Sequence, residues 1–151
     1  MSADVFVDTN VLVYARDAGE PAKQPVAAEW MSQLWSNRRG RVSVQVLNEY
    51  FVTVTLKLKP GLPRETAWGD VTDLFAWKPV PTDTALLSGT RAIHEQHGLS
   101  WWDAQIVAAA RLAGCRRLLT EDLQDGLEVD GVIVVNPFVH RVDEVLHGRV
   151  H

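Results

Sequence analysis

The stretch Val5-Phe6-Val7-Asp8-Thr9-Asn10-Val11-Leu12-Val13 limits what this chain can fold into more than any other. A short β-branched apolar run stops at a carboxylate, and a second apolar pattern begins directly behind it. A strand buried on both faces reads this way when it feeds a loop or helix. In an open parallel α/β sheet, chemistry collects outside the carboxyl ends of the strands. Asp8 stands at such an end. Asp is also a favoured helix N-cap, so this motif by itself favours a cap. The positions of the other acids shift that balance.

The rest of the chain alternates helical and extended patterns. Val11 to Ala15 reads as a short helix, broken at Gly19-Glu20-Pro21. Val26, Ala27, Trp30, Met31, Leu34 and Trp35 recur at helical spacing, and Asn37 to Arg41 closes that helix with three arginines read as a solvated turn. Val42-Ser43-Val44 predicts a short strand. Gln45 to Leu58 matches both periods, and its length without a turn signal favours helix. Further helices are expected through Ala67 to Phe75, from Thr82 to His97-Gly98, and from Ser100 to Gly114. Lys78-Pro79-Val80-Pro81 reads as an edge. Arg117 to Thr120 and Gly131 to Val135 read as strands, with a short helix in the tail from Val139. Strands separated by helices on short connections predict an α/β chain with a parallel sheet covered on both faces.

Composition excludes several classes. Of 151 residues, 46% are apolar and 23% charged, which suits a globular core. A single cysteine, Cys115, excludes an internal disulfide framework and a multi-Cys zinc site, and it suits a reducing interior. His94, His97, His140, His147 and His151 show no zinc-ligand spacing. No apolar run reaches the length of a membrane span, and no signal peptide is read at the start. A net charge of -4 argues against a non-specific DNA coat, although local patches can still steer RNA.

Four acids stand where this layout could bring them together: Asp8, Glu49, Asp103 and Asp122. Each has a local explanation. Ser100-Trp101-Trp102-Asp103 fits a capping box, Asp122 suits a first helical turn, and Glu49 could be a solvated helix residue. Against these, Asp103 shares a stripe with Ile106, Val107 and Ala110, and Glu49 is embedded among Val46, Leu47, Tyr50, Phe51 and Val52. Two carboxylates about 5 Å apart repel by roughly 3 kcal/mol at an effective dielectric of about 20. A set of four must therefore take up protons or bind a cation, and hard oxygen ligands select Mg²⁺ or Mn²⁺. Such a cation supports phosphodiester hydrolysis.

With these pieces in order, the sequence resembles the PIN-domain ribonucleases, and among them the toxins of VapBC-type toxin–antitoxin pairs. The segments that carry the resemblance are Val7 to Ala15, Leu47-Asn48-Glu49-Tyr50, Leu99 to Ile106, Leu119 to Leu123, and Val134 to Phe138. The resemblance implies one PIN-like domain over residues 1–151, folded as an α/β/α sandwich around a mostly parallel sheet. It implies a cytoplasmic, Mg²⁺-dependent endoribonuclease, with Mn²⁺ able to substitute, a cognate antitoxin as inhibitor, and a homodimer. It places catalytic and metal-binding roles on Asp8, Glu49, Asp103 and Asp122. Asp122 aligns best as the fourth acid, Asp125 is its alternative, and Glu121 is read as solvated. Thr9, Asn10, Thr120 and Asp125 are candidates to orient the carboxylates, with turn and cap chemistry as the plainer reading.

Trp102 is expected in the core and Trp101 nearer the mouth of the site. Trp30, Trp35, Trp68 and Trp77 are expected in the core, with Trp30, Trp35 and Tyr50 possible walls of a groove for an antitoxin helix. Arg16, Arg111, Arg116 and Arg117 read as surface charges. Two other classes compete. A phosphoaspartyl enzyme or receiver would place acids after parallel strands, but Asn10 stands where the phosphatase needs a second Asp. A PIN-like module that binds RNA or a partner without cutting would not need four acids.

Overall fold

Five strands form one sheet among residues 4–147, the part of the chain described in this computed structural model: β1 (Val5–Val7), β2 (Gly40–Arg41), β3 (Arg117–Leu119), β4 (Glu128–Val129) and β5 (Val132–Val135). Their order is β2-β1-β3-β5-β4, parallel throughout except for β4, which runs antiparallel to β5. Val5, Phe6, Val7, Leu118 and Leu119 are fully buried, so the central strands read as unbroken apolar runs.

Seven α-helices complete the α/β/α sandwich: α1 (Thr9–Tyr14), α2 (Gln24–Ser36), α3 (Val44–Val52), α4 (Arg64–Asp73), α5 (Thr84–His97), α6 (Trp101–Leu112) and α7 (Val142–Leu146). α6 packs on β3 and β5 and pairs with α5, while α2 meets α1, α7 and β2. Side chains of Ser43, Asp83 and Ser100 accept the amides of Val46, Leu86 and Asp103, satisfying N-terminal donors of α3, α5 and α6. No helix of the described residues is long and apolar enough to cross a membrane.

The expected strand at Val42-Ser43-Val44 is a correction. The second strand is Gly40–Arg41, and Ser43 makes only an isolated parallel bridge to Val80. Capping by Ser43 turns the chain into α3 before a strand can extend. At Gly40 a Cβ would lie 2.3 Å from the Trp77 ring, so only glycine lets strand and indole meet. The ambiguous 45–58 stretch is helical, but α3 passes into a π-helical turn at Thr53–Lys57, where Thr55 Oγ1 donates back to the Phe51 carbonyl at 2.7 Å. Strand β4 was not expected from the sequence. Asp130 and Gly131, at φ 50° and 86°, form the tight turn that joins it to β5.

Several side chains also stand elsewhere than expected. Trp35 and Trp68 are about half exposed, while Trp30 is fully buried with its Nε1 donating to the Pro137 carbonyl. Trp30 lines a hollow with Pro137 and Phe138, separate from the one that Trp35 and Tyr50 share. Arg41 is not a solvated turn residue; its guanidinium donates to the carbonyls of Trp77, Lys78 and Ala113. Arg16 is the surface charge expected of it, paired through two nitrogens with Asp70.

Candidate active site

The β1–β3 register sets Val7 beside Leu119, so the next residues, Asp8 and Thr120, emerge side by side at the carboxyl edge of the sheet. The ladder continues one step: the Asp8 amide donates to the Leu119 carbonyl and the Thr120 amide to the Val135 carbonyl, each at 3.1 Å. Thr120 Oγ1 donates to Asp8 Oδ2 at 2.8 Å, and the Thr9 amide donates to Asp8 Oδ1 at 2.7 Å. Asn10 Nδ2 lies 3.0 Å from Thr120 Oγ1, 3.1 Å from Asp122 Oδ2 and 3.3 Å from Asp8 Oδ2. Its Oδ1 accepts the Glu121 amide. Asn10 and Thr120 thus tie the β1 carboxylate to the turn after β3 using neutral groups only.

Asp8, Glu49, Asp103 and Asp122 all line one cleft of ≈ 140 Å³, together with Ser43, Gln45, Leu86, Trp102, Gln105, Ile106 and Ala109. Helix α3 supplies Glu49, whose carboxylate accepts from Thr9 Oγ1 and Gln45 Nε2, each at 2.9 Å. Glu49 is exposed at the cleft rather than embedded among its apolar neighbours. Helix α6 supplies Asp103. The Ser100 hydroxyl accepts the Asp103 amide at 3.1 Å, but among the described residues the Asp103 carboxylate makes no hydrogen bond or ion pair. The capping-box explanation therefore accounts for half of the motif.

None of the four cleft acids belongs to an ion pair among the described residues. Burial pushes the Asp8 carboxyl up to about 6, against the lowering bonds from Thr120 and the Thr9 amide, and the charges of Asp122 and Glu49 add to the rise. Such a carboxylate favours a proton or a cation. The donor set is entirely hard oxygen, which suits a hard divalent ion. The acids share the cleft walls without closing into a cage: among the described residues, no three His, Cys, Asp or Glu side chains form a group that could hold a metal ion as they stand.

Asp125 stands outside this cleft. It accepts the Asn136 amide at 2.9 Å and His140 Nε2 at 2.8 Å; burial opposes, but these bonds hold its carboxyl below the usual range. Glu121, read as solvated, is partly buried and clamped. Its carboxylate takes the Tyr14 hydroxyl and Lys23 Nζ, the latter at 2.8 Å. Lys23 sits 4.7 Å above the Tyr14 ring and 5.2 Å above that of Phe138. Of the two tryptophans ahead of Asp103, Trp102 is not in the core as expected, and Trp101 does not line the cleft. Trp101 packs edge-on against His94 at 5.6 Å, while Trp102 is 67% exposed and lines the cleft.

The PIN domain family matches residues 5–125, four-fifths of the chain and all four cleft acids. This chain belongs to the PIN-domain family. A solved structure described as a toxin–antitoxin complex from Klebsiella pneumoniae contains a chain with the same fold as this PIN domain, at a TM-score of 0.62 and 19% identity. The match covers 89% of this chain and 98% of that chain. No curated protein matches the sequence. PIN domains are generally nucleases that use divalent metal ions, and the unpaired oxygen donors around Asp8 fit that chemistry.

Proposed function

We propose that this PIN domain is a Mg²⁺-dependent endoribonuclease, with Mn²⁺ able to substitute, and the toxin of a VapBC-type pair. One observation carries the reading: four carboxylates line a single cleft and none has a cationic partner among the described residues. The cleft, at ≈ 140 Å³, is smaller than the roughly 300 Å³ from which small-molecule sites start. It suits one segment of a polymer whose remainder crosses the surface. Asp8, Glu49, Asp103 and Asp122 are the residues that would hold the ion. A bound divalent ion supplies an acidified water and neutralises charge on the phosphoryl oxygens.

The chain's own groups then divide the work. Asp8 is fixed by Thr120 and the Thr9 amide, so its carboxylate need not be ordered when substrate arrives. Asn10 and Thr120 tether Asp8 and Asp122 without neutralising them, which leaves the negative charge for the ion. Thr9 steadies Glu49 in the same neutral fashion. Resemblance to the family favours a 3′-hydroxyl and a 5′-phosphate as products. The proposed inhibitor is a cognate antitoxin, supported by the fold shared with a chain from a toxin–antitoxin complex. A homodimer in the cytoplasm completes the reading.

The test is incubation of the purified protein with structured and unstructured RNAs in Mg²⁺, Mn²⁺ or EDTA, with sequencing of the 5′ ends released. Cuts in either metal, absent in EDTA and absent from Asp8→Asn, are the expected result. RNA retained without cuts in both metals would make the protein a binding module instead.

A further inference from the structure

We infer that Trp102 is a stacking platform for an unpaired nucleobase of the RNA substrate next to the scissile phosphate. This inference deepens the nuclease reading and rests on it. Trp102 is the largest side chain in the cleft lining and directly precedes Asp103. It is 67% exposed, whereas Trp101 beside it is half-buried and packs edge-on against His94. Among the described residues no aromatic ring pairs with Trp102.

The charge of the site says why a flat apolar surface belongs there. The cleft is acidic, and the whole chain carries -4. A polyanion cannot be gripped by such a surface through its phosphates in the usual way. Stacking is indifferent to that repulsion, because every base offers a π-face. It also selects the strand's state, since a base paired and stacked in an A-form helix has no free face for an indole. Gln105 lies in the same lining and adds a neutral donor and acceptor beside the ring.

The experiment uses the full chain carrying Asp8→Asn, so that strands bind without being cut. Oligoadenylate, oligouridylate and the duplex they form are titrated into Asp8→Asn and into its Trp102→Ala and Trp102→Phe derivatives, in Mg²⁺. Indole quenching and the anisotropy of a labelled strand are read together. Single strands should bind Asp8→Asn and quench it, with a shallow dependence on salt. Trp102→Ala should weaken them about tenfold and remove most of the quenching, and Trp102→Phe should restore most of the affinity. The duplex should bind weakly to all three. Equal affinities in Asp8→Asn and Trp102→Ala overturn the inference, as does a duplex bound as tightly as its strands. So does a Trp102→Ala protein that changes its sedimentation but not its affinity, which would make this face a contact between copies. Parallel cleavage assays with Asp8 intact separate the two ideas. Cutting that survives Trp102→Ala unchanged removes the platform and keeps the nuclease, whereas Trp102-dependent binding with no cutting does the reverse.

Discussion

Glu121 and Asp122 are neighbours in sequence, yet they live in opposite surroundings. Glu121 turns toward α1 and α2, where Lys23 and Tyr14 meet it and two rings cover the ammonium. Asp122 turns toward the cleft, where Asn10 gives its carboxylate the one hydrogen bond it has among the described residues and the neighbouring charged groups are acids. Burial works against the charge on Glu121, but Lys23 and Tyr14 outweigh it and hold its carboxyl below the ordinary range. Across the cleft the same burial is unopposed by any cation and pushes Asp8 up to about 6. One acid of the pair closes the fold, and the other is left open to something that arrives later. The chain does not lack cations to pair with acids; Asp70, Asp125 and Asp130 each have a cation or histidine in reach. The cleft is where none is placed.

The largest way to break this contrast is Asp8→Asn. Cleavage should fall by more than about 10²-fold, in line with the loss of one group acting directly on transition-state charge. Without divalent ions, the same variant should be more stable than the parent at neutral pH. The sign follows from linkage. The unfolded carboxyl ionises near 3.8, and the folded one keeps its proton to about 6. Between those values the native state binds more protons, so Asp8 favours folding at low pH and this advantage is lost as pH rises through about 6. The shift corresponds to roughly 3 kcal/mol at 1.36 kcal/mol per unit. Glu121 acts in the opposite sense, favouring folding above its unfolded pKa near 4.5 and losing that as pH falls through its lower folded value. The metal-free protein should therefore melt highest below pH 6, and Asp8→Asn should flatten the decline on the alkaline side. A parent melting point that climbs steadily from pH 5 to pH 8 in EDTA would contradict this account of Asp8.

The next contrast exchanges the roles of the two neighbours. Asp122→Asn should lower cleavage roughly 10–100-fold, the usual loss when a group that supports a metal site is neutralised, with the melting temperature held or raised. Glu121→Gln should keep cleavage within a few-fold but lower the melting temperature by about 2–4 °C, because Lys23 then loses its acid partner. Steady-state rates and thermal melts on the same preparations read both. Equal losses of activity from the two variants would mean that clamp and cleft are one unit.

How much of this was legible depended on whether the signal was local. The run Val5-Phe6-Val7-Asp8 announced a buried strand ending in an acid because burial on both faces writes itself as uninterrupted apolar residues. The cap at Ser100 lies within three residues of the amide it satisfies, whereas the helix expected to open at Thr82 is capped by Asp83. Asp130-Gly131 carries the strongest short hairpin signal there is, but β4 is itself only two residues long and leaves no alternating pattern to read. The tryptophans were a different matter. Helical spacing could not say which of Trp101 and Trp102 faces the cleft, since adjacent residues on a helix point about 100° apart and the direction of the sheet is a tertiary fact. Nor could sequence show that Glu121 has a lysine 98 positions away. The four cleft acids could be named from motifs, but their want of cations is a property of the fold.

The smallest prediction tests how finely the clamp is built. Tyr14→Phe removes the hydroxyl that donates to Glu121 and accepts weakly from Lys23 Nζ, and leaves the Lys23–Glu121 pair, the ring position and the contact with Phe138 in place. A hydrogen bond of this kind is worth about 1 kcal/mol net, since water can partly replace the lost donor at a half-exposed site. Urea unfolding should show that loss as a lower midpoint at unchanged slope. Cleavage should not change, because Asp122 keeps Asn10 and the Glu121 amide keeps the Asn10 carbonyl. If Tyr14→Phe instead slows cleavage as much as Asp122→Asn does, then the Tyr14–Glu121 bond is what aims the turn after β3 into the cleft. The division between an acid that closes the fold and one that serves the site would then fail at the peptide bond joining them.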